Sequence, residues 1–293
     1  MNRRLIVTHH APDLDAIGAV WMLKRFDTQH YGTAKVSFVD PGSTITAEDA
    51  EQLGFQLHEV THVDTGFGEF DHHQPERGQE FVSATSLTYK HICNIHPDFA
   101  ENEALKAISE FVTEIDHFRE IYWPESDHQR YSFMIHELVK GVEFYDPHND
   151  DSQLQFGLQC LDSAYGVMTQ RIKAEEIIVQ EGIPFECSAG KCLGVETSND
   201  ETIKLAQKQG YTIVIRKDPK LGNIRIKVRP DSEIDLKPVA DAITKVDPKA
   251  SWYYHPSGKM LINGSRKHRN QKASQLPLKE VIGIITEVYN KSK

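Results

Sequence analysis

The amino-acid sequence predicts an α/β protein: a domain built on a parallel sheet with helices on both faces, followed by a smaller α+β domain. The first 65 residues alternate β-branched runs with helical patterns, which is typical of a parallel sheet covered by helices. At 293 residues the chain exceeds the roughly 250 residues at which a single hydrophobic core usually stops growing. We therefore predict two domains, residues 1–181 and 182–293, with a long helix at the end of the first.

Hydrophobic periodicity and turn residues define the elements of the first domain. An apolar run that ends at His9 is the first strand, and small residues after Asp15 open a helix that continues through Leu23. The turn Pro41-Gly42 closes the second strand, and Thr46 is placed to cap a short helix. The predicted strands are residues 5–9, 35–40 and 57–63, and the predicted helices are residues 16–23, 46–53, 83–95, 103–115 and 153–180.

The remaining segments are less regular. Residues 118–151 are aromatic and lack a clear period, so we predict helices interrupted by a loop near Asp146-Pro147. The second domain has the mixture of elements expected of an α+β fold. Its predicted strands are residues 192–195, 211–216, 224–228, 252–255 and 260–263, and its predicted helices are residues 200–209, 236–246 and 276–289.

The composition argues against several classes of protein. No apolar run approaches the ~20 residues that span a membrane. The net charge of −10 argues against broad coating of nucleic acid, which needs a basic face. Four cysteines without CxxC spacing, and a start that lacks a signal-peptide pattern, predict reduced thiols in a cytoplasmic protein. Cys187 and Cys192 would suit half of a zinc site, but no second pair of ligands is nearby.

The first chemical motif lies between the first strand and the first helix. His9 ends the strand, and Asp13 and Asp15 follow in a loop that contains proline. The carboxyl end of a strand in an open α/β sheet is where ligands bind, and imidazole with carboxylates suits Mn²⁺, Mg²⁺ or Zn²⁺. Because one residue separates the two aspartates, they can point at two different ions. The alternative is a strand-to-helix turn in which Asp13 only caps the helix.

Further histidines and carboxylates follow the third strand. Asp64 ends that strand, and Asp71-His72-His73 comes only a short glycine-containing turn later. Asp116 ends a helix that is expected to pack on the sheet, which makes it a candidate for the last metal ligand. The alternatives are a solvated polar loop for the histidines and an ordinary carboxylate at a helix end for Asp116.

A basic segment in the second domain has the chemistry of a phosphate clamp. Arginine suits bidentate contacts and lysine is a point charge, while glycine and serine let the backbone approach an anion. The alternative is a solvated basic hairpin. The candidate substrate-binding residues are His255, Ser257, Gly258, Lys259, Asn263, Gly264, Ser265, Arg266 and Lys267.

Taken in order, the motifs of residues 5–120 resemble those of the DHH phosphoesterase superfamily. The HxxxDxD motif, the strand-end acid, the DHH tripeptide and the last acid all occur. The short spacing from Asp64 to the DHH, the Gln74 after it and the segment 83–91 are similar to the melanocyte-proliferating-gene type of exonuclease-like proteins. The second domain departs from the superfamily, because the glycine-rich GGGH segment is absent and the basic segment stands in its place. Its residues 265–267 are faintly similar to the substrate arm of the manganese-dependent pyrophosphatases.

The resemblance implies roles for these residues. His9 and Asp13 would hold one ion, and Asp64 would bridge to a second. The second ion would be held by Asp15, His72 and Asp116. His73 would face the substrate phosphate, and Asp64, Asp71 and His73 are the residues that we assign to the reaction itself. Two ions ~3.5–4 Å apart would activate a water and stabilise the attacking and leaving oxygens.

We therefore predict a phosphodiesterase that uses two Mn²⁺ per chain, with Mg²⁺ or Co²⁺ as possible substitutes. Its substrate would be a short RNA or DNA, an RNA end or a nucleotide, held between the two domains. A homodimer is reasonable from the resemblance. One alternative is a manganese-dependent inorganic pyrophosphatase, which the short spacing from Asp64 to Asp71 disfavours. Another is a nucleotide-binding regulatory module that keeps the ligands without turnover.

Overall fold

The computed structural model describes residues 3–264 and 270–290. The chain divides into two compact units, Met1–Met168 and Thr169–Lys293, and the division falls inside one long helix, Asp150–Glu181. The functional boundary at residue 181 stays a prediction.

The first unit contains a three-stranded parallel sheet. Its strands are β1 (Leu5–His9), β2 (Lys35–Val39) and β3 (Val60–His62), in the order β2-β1-β3. Its helices are α1 (Leu14–Phe26), α2 (Thr28–Tyr31), α3 (Ala47–Gln52), α4 (Ala84–Ile95), α5 (Glu103–Asp116), α6 (Ile135–Tyr145) and the part of α7 (Asp150–Glu181) that precedes the division.

Helices cover both faces of this sheet, as the alternation of side chains along β1 requires. Ile6 packs on one face in a core that includes Ile17 of α1. Leu5 and Val7 point to the other face and pack with Ala50 of α3. The predicted α/β class is therefore confirmed.

The third predicted strand is shorter than expected. Leu57–Glu59 is a 3₁₀ helix, and only Val60–His62 is extended. The Glu59 carboxylate accepts a hydrogen bond of 2.8 Å from the backbone N–H of Gln56, which caps this turn. Such a local cap competes with strand pairing, and the apolar pattern of the segment does not reveal it.

The aromatic segment after α5 contains two 3₁₀ helices, Arg119–Tyr122 and Gln129–Phe133, before α6 begins. A loop separates α6 from α7 at the predicted position near Asp146-Pro147.

The second unit is built on a six-stranded mixed sheet in the order β4-β5-β6-β7-β9-β8; of the described strands in this sheet, only β5 and β6 pair in parallel. The strands are β4 (Ile183–Cys187), β5 (Gly190–Glu196), β6 (Ile213–Lys217), β7 (Ile224–Val228), β8 (Trp252–Tyr254) and β9 (Met260–Asn263). The helices are α8 (Glu201–Lys208), α9 (Lys237–Val246) and α10 (Leu278–Asn290). The unit is α+β, as predicted, although the sequence pattern does not predict β4.

Helices also cover both faces of the second sheet. Ile213 and Ile215 of β6 pack in a core with Val281 of α10, whereas Val214 points to the other face and packs with Ile203 of α8. In the described ranges, no helix combines the length and apolarity needed to cross a bilayer. The four cysteines all lie in those ranges and are free thiols.

Candidate metal centre

The strand ends of β1 and β3 bring the first group of predicted ligands together. Because the two strands are parallel neighbours, His9 at the end of one lies beside Asp64, which follows the other. His9 Nε2 is 3.2 Å from Asp64 Oδ2. Asp13 completes the group, whose ligand atoms all lie within 4.8 Å of one another.

A second group meets the other oxygen of Asp64. His72 Nε2 lies 3.4 Å from Asp64 Oδ1, 3.6 Å from Asp116 Oδ2 and 3.8 Å from Asp15 Oδ2. The six predicted metal ligands therefore lie in one cluster, and Asp64 presents one oxygen to each half of it.

The backbone around Asp64 is held in an unusual conformation. Its φ angle is 53°, which is the left-handed region that a residue other than glycine rarely adopts. Its N–H donates a hydrogen bond of 2.9 Å to the Phe70 carbonyl, which ties the strand end to the DHH segment. Strain of this kind is commonly found at functional sites, where the surrounding structure maintains it.

Asp13 both caps α1 and belongs to the cluster. Its Oδ1 accepts hydrogen bonds from the backbone N–H groups of Asp15 and Ala16, at 2.9 and 3.1 Å. The cap uses one carboxylate oxygen and leaves Oδ2 for an ion, so the two interpretations of this aspartate are compatible.

Asp15 is buried against the first turn of α4. Its two oxygens accept hydrogen bonds from the backbone N–H groups of Ala84 and Thr85, at 2.6 and 2.8 Å. These groups are the positive end of the helix and stabilise the carboxylate. Gly18 permits the approach of α4, since a Cβ there would lie 2.3 Å from Thr85 Oγ1.

Asp71, which directly precedes the ligand His72, is fully buried. Its Oδ2 accepts a hydrogen bond of 2.6 Å from the Phe67 N–H, and its Oδ1 accepts from the N–H and the Nδ1 of His73, at 3.1 and 2.8 Å. The His73 side chain is 56% exposed. Asp71 therefore fixes the orientation of an imidazole ring that is accessible from solvent.

The charges in the cluster shift the acidities of its members. Burial lowers the pKa of His9, but the Asp64 and Asp13 carboxylates outweigh it and raise that pKa to about 9. Burial likewise opposes the carboxylates around His72, whose pKa also rises to about 9. Burial, together with the charge of Asp64, raises the pKa of Asp116 to about 6, although His72 acts against this rise. Burial and the neighbouring carboxylates raise the pKa of Asp15 well above its usual range.

Two buried atoms in the cluster have no hydrogen-bond partner in the described part of the chain: Asp64 Oδ1 and His72 Nε2. They face each other at 3.4 Å as an ion pair without hydrogen-bond geometry, whereas buried polar atoms normally form hydrogen bonds. Both atoms point to the place where the second group of ligands meets. A carboxylate oxygen and an imidazole nitrogen are suitable ligands for Mn²⁺ or Mg²⁺, so the residues fit a divalent ion here.

One neighbour of the cluster was not among the predicted residues. His117 Nε2 lies 3.9 Å from Asp116 Oδ2 and also 2.9 Å from the Val82 carbonyl, to which it can donate. The position directly after Asp116 is the signal that could have identified it.

A cavity of about 420 Å³ borders Asp13, Asp15 and Asp116. Apolar side chains such as Val112 line part of its wall. The rest of the wall is polar and mostly acidic, with Glu120, Glu137, Glu143, His136 and Lys140.

In the second unit, two predicted substrate residues form hydrogen bonds to backbone groups of the protein. Lys259 Nζ donates to the backbone carbonyls of Ser232 and Ile234. Asn263 is fully buried, and its side-chain amide is hydrogen-bonded to three backbone groups, in Ser251, Lys272 and Ser274.

The other predicted substrate residues lie in the turn between β8 and β9 or follow β9. His255 Nδ1 and Ser257 Oγ are 2.8 Å apart, and Gly258 and Gly264 have positive φ angles of 73° and 74°. Three of the predicted residues lie outside the described part of the chain: Ser265, Arg266 and Lys267.

The thiols of Cys187 and Cys192 are 3.8 Å apart. Within residues 3–264 and 270–290, no group of three potential metal ligands includes either of them, so the zinc hypothesis gains no support.

No protein-family model and no curated protein matches the chain. Among solved structures, a DHH-domain protein described as a member of a family of ribosomal proteins is 14% identical, with a TM-score of 0.32, over 98% of this chain and 86% of that one. RecJ from Thermus thermophilus in complex with Mg²⁺ is 8% identical, with a TM-score of 0.35, over 98% of this chain. The chain spans only 50% of the length of that RecJ. The chain is thus similar, at 14% and 8% identity, to a DHH-domain protein and to RecJ.

Proposed function

We propose that this chain is a divalent-metal-dependent phosphoesterase of the DHH superfamily, and more narrowly a phosphodiesterase. The observation that carries the proposal is the placement of Asp64. One of its oxygens faces His9 and the other faces His72, so a single buried carboxylate serves both halves of a six-residue cluster. The second contact, between Asp64 Oδ1 and His72 Nε2, is an ion pair of 3.4 Å without hydrogen-bond geometry in the described residues, so both atoms are available to an ion.

The residues divide naturally between two ions. His9 and Asp13 would hold the first, and Asp15, His72 and Asp116 the second, with Asp64 shared. Mn²⁺ is the ion that we propose, with Mg²⁺ or Co²⁺ as substitutes. When bound, such ions lower the pKa of a water and offset negative charge on a phosphoryl group.

The chain's own groups would orient the substrate. Asp71 accepts from Nδ1 of His73 and so leaves Nε2 of the exposed ring for a phosphate oxygen. The fixed ring acts without reorganisation, which is favourable when charge builds up on the phosphoryl group.

The cavity beside Asp116 bears on the size of the substrate. Glu137 and Glu143 line its wall together with the cation Lys140, so a further phosphate there would meet net negative charge. This distribution favours a nucleotide or a short oligonucleotide over a long polyanion. A grip on phosphate by the basic segment of the second unit stays a prediction.

A panel of substrates tests the proposal. The purified protein, with Mn²⁺, Mg²⁺ or Co²⁺, is given a labelled RNA or DNA trimer, a dinucleotide and pyrophosphate. We expect mononucleotide release that EDTA abolishes, and no phosphate release from pyrophosphate. Release of phosphate from pyrophosphate alone would identify a pyrophosphatase instead. Metal binding without turnover of any substrate would favour a regulatory module.

A further inference from the structure

The loop that carries the first metal ligands is held in place from α7. Asp150 Oδ2 lies 2.6 Å from His10 Nδ1, and Asp150 Oδ1 accepts a hydrogen bond of 2.7 Å from the Ala11 N–H. Gln153, one turn later, donates from Nε2 to the Pro12 carbonyl at 3.1 Å. Three successive residues between His9 and Asp13 are therefore bound by the first turn of one helix.

This loop needs external support, because Ala11 has a φ angle of 49°. The left-handed region is unfavourable for alanine, which has a Cβ and no side-chain group to compensate. The N–H of this same residue is the one that Asp150 binds. The carboxylate thus stabilises the loop at its strained position.

The support reaches the metal ligand through one more hydrogen bond. His9 Nδ1 lies 2.8 Å from the His10 carbonyl and can donate to it, which leaves Nε2 directed at Asp64. Fixing one ring nitrogen in this way sets the orientation and tautomer of a ligating histidine. The position of the His10 carbonyl in turn depends on the loop that Asp150 holds.

Asp150 is not needed to cap its own helix. Asn149 has that role, because its Oδ1 accepts a hydrogen bond of 3.0 Å from the Ser152 N–H. Both carboxylate oxygens of Asp150 are directed at the loop instead. Asp151, the next residue, is exposed and offers the same charge to the helix end.

We propose that Asp150 is a positioning residue for the first metal site, acting through His10 and Ala11 on His9 and Asp13. The inference rests on the proposed function, since it presumes that His9 and Asp13 bind an ion. It adds a residue some 140 positions away in the sequence to the determinants of that site.

The test compares Asp150→Ala with Asp151→Ala, which removes the same charge from the same helix turn. Mn²⁺ binding is measured by calorimetry, and the visible absorption of bound Co²⁺ reports the ligand geometry. We expect Asp150→Ala to weaken one of the two Mn²⁺ sites by about 10- to 100-fold and to change the Co²⁺ spectrum. Asp151→Ala is expected to match the wild type in both measurements.

Two further results decide the inference. Unfolding in EDTA shows whether Asp150→Ala is folded, and if it is not, Asp150→Asn replaces it, because its Oδ1 can still accept from the Ala11 N–H. That variant is expected to bind Mn²⁺ with intermediate affinity. Wild-type affinity and an unchanged Co²⁺ spectrum in a folded Asp150 variant would overturn the inference alone. A wild-type protein that binds no Mn²⁺ would overturn the proposed function, and the inference with it.

Discussion

Asp64 and His72 face each other across 3.4 Å, and the two atoms concerned, Oδ1 and Nε2, are buried without a hydrogen-bond partner in residues 3–264 and 270–290. The other oxygen of Asp64 contacts His9 at 3.2 Å. Asp64 therefore connects the two halves of the cluster, whereas Asp116 belongs to only one. Substitution of Asp64 should therefore affect both halves of the cluster, and substitution of Asp116 only one.

Asp64→Asn is expected to reduce the number of tightly bound Mn²⁺ ions from two to none, whereas Asp116→Asn retains one. The loss of kcat/KM should be at least about tenfold larger for Asp64→Asn, which corresponds to about 1.4 kcal/mol of activation free energy. Elemental analysis and kinetics on a verified substrate measure both effects. Asparagine tolerates the left-handed conformation at position 64, so both variants should fold. Equal and mild effects of the two substitutions would show that Asp64 is not shared.

Metal binding should release protons. The carboxylates of the cluster raise the pKa of His9 and of His72 to about 9, so both rings carry a proton at pH 7 when no ion is bound. An ion must displace these protons, and we expect at least two to be released when both sites fill, because the raised pKa of Asp15 adds to the contribution of the histidines. Because protons compete with the ion, the apparent affinity rises with pH until the histidines are neutral.

Calorimetry at pH 7 in buffers of different ionisation enthalpy measures this release directly. The observed binding enthalpy should vary linearly with the ionisation enthalpy, with a slope equal to the number of protons. His148→Ala, which removes an exposed ring outside the six-residue cluster, serves as the control and should leave the slope unchanged. A slope of zero in the wild type would contradict the prediction.

His73 and Asp71 should behave differently when substituted. His73→Ala removes an exposed ring, so we expect a lower kcat with little change in the free energy of unfolding. Asp71→Asn places an amide N–H₂ group where a buried carboxylate accepts from Phe67 and His73, and should cost about 1–3 kcal/mol of stability as well as activity. Urea unfolding in EDTA separates stability from metal binding. A destabilised His73→Ala, or an unaffected Asp71→Asn, would contradict these roles.

The packing of α1 on α4 can be tested by a substitution at Gly18 of α1, with Gly141 of α6 as the control position. Gly18→Ala would place a methyl group 2.3 Å from Thr85 Oγ1, so we expect a loss of about 1–3 kcal/mol of stability. In Gly141→Ala, in the middle of α6, the new methyl group meets no described atom within 4 Å apart from its chain neighbours and the backbone of its own helix, and the change should stabilise the protein by about 0.4–1 kcal/mol. Chemical denaturation of the two variants gives both values. A neutral Gly18→Ala would mean that α4 moves away without cost.

Hydrophobic periodicity was sufficient for the long helices and for most strands. The predicted helix at 153–180 corresponds to α7, and the predicted pair at 252–255 and 260–263 corresponds to β8 and β9. Hydrophobic periodicity failed for a short strand whose extended conformation depends on pairing with another strand. β4 contains Pro184 and lies at the edge of its sheet, and it is extended because it pairs with β5.

For the candidate site, the sequence identified residues at strand ends, and the parallel pairing of β1 with β3 explains why they meet. It did not identify Asp150, because the contact with His10 joins positions 140 residues apart and has no local pattern. It also missed the role of α4, whose first amides bind Asp15. Contacts of this kind depend on how helices pack and are not encoded in the spacing of a motif.

The hydrogen bonds from α4 to Asp15 have a consequence for the order in which the protein matures. Carboxylates that folding brings together around an ion site repel one another when no ion is bound. The amides of α4 act against this repulsion at Asp15, although burial and the neighbouring carboxylates still raise its pKa well above the usual range, and the protonated histidines act against it at Asp64. We therefore expect the polypeptide to complete its folding before any ion arrives, in contrast to small zinc domains that remain unfolded without metal. Under the proposed function, loading would then be a late and reversible step, so the occupancy of the site, and with it activity, would follow the supply of free ions in its surroundings.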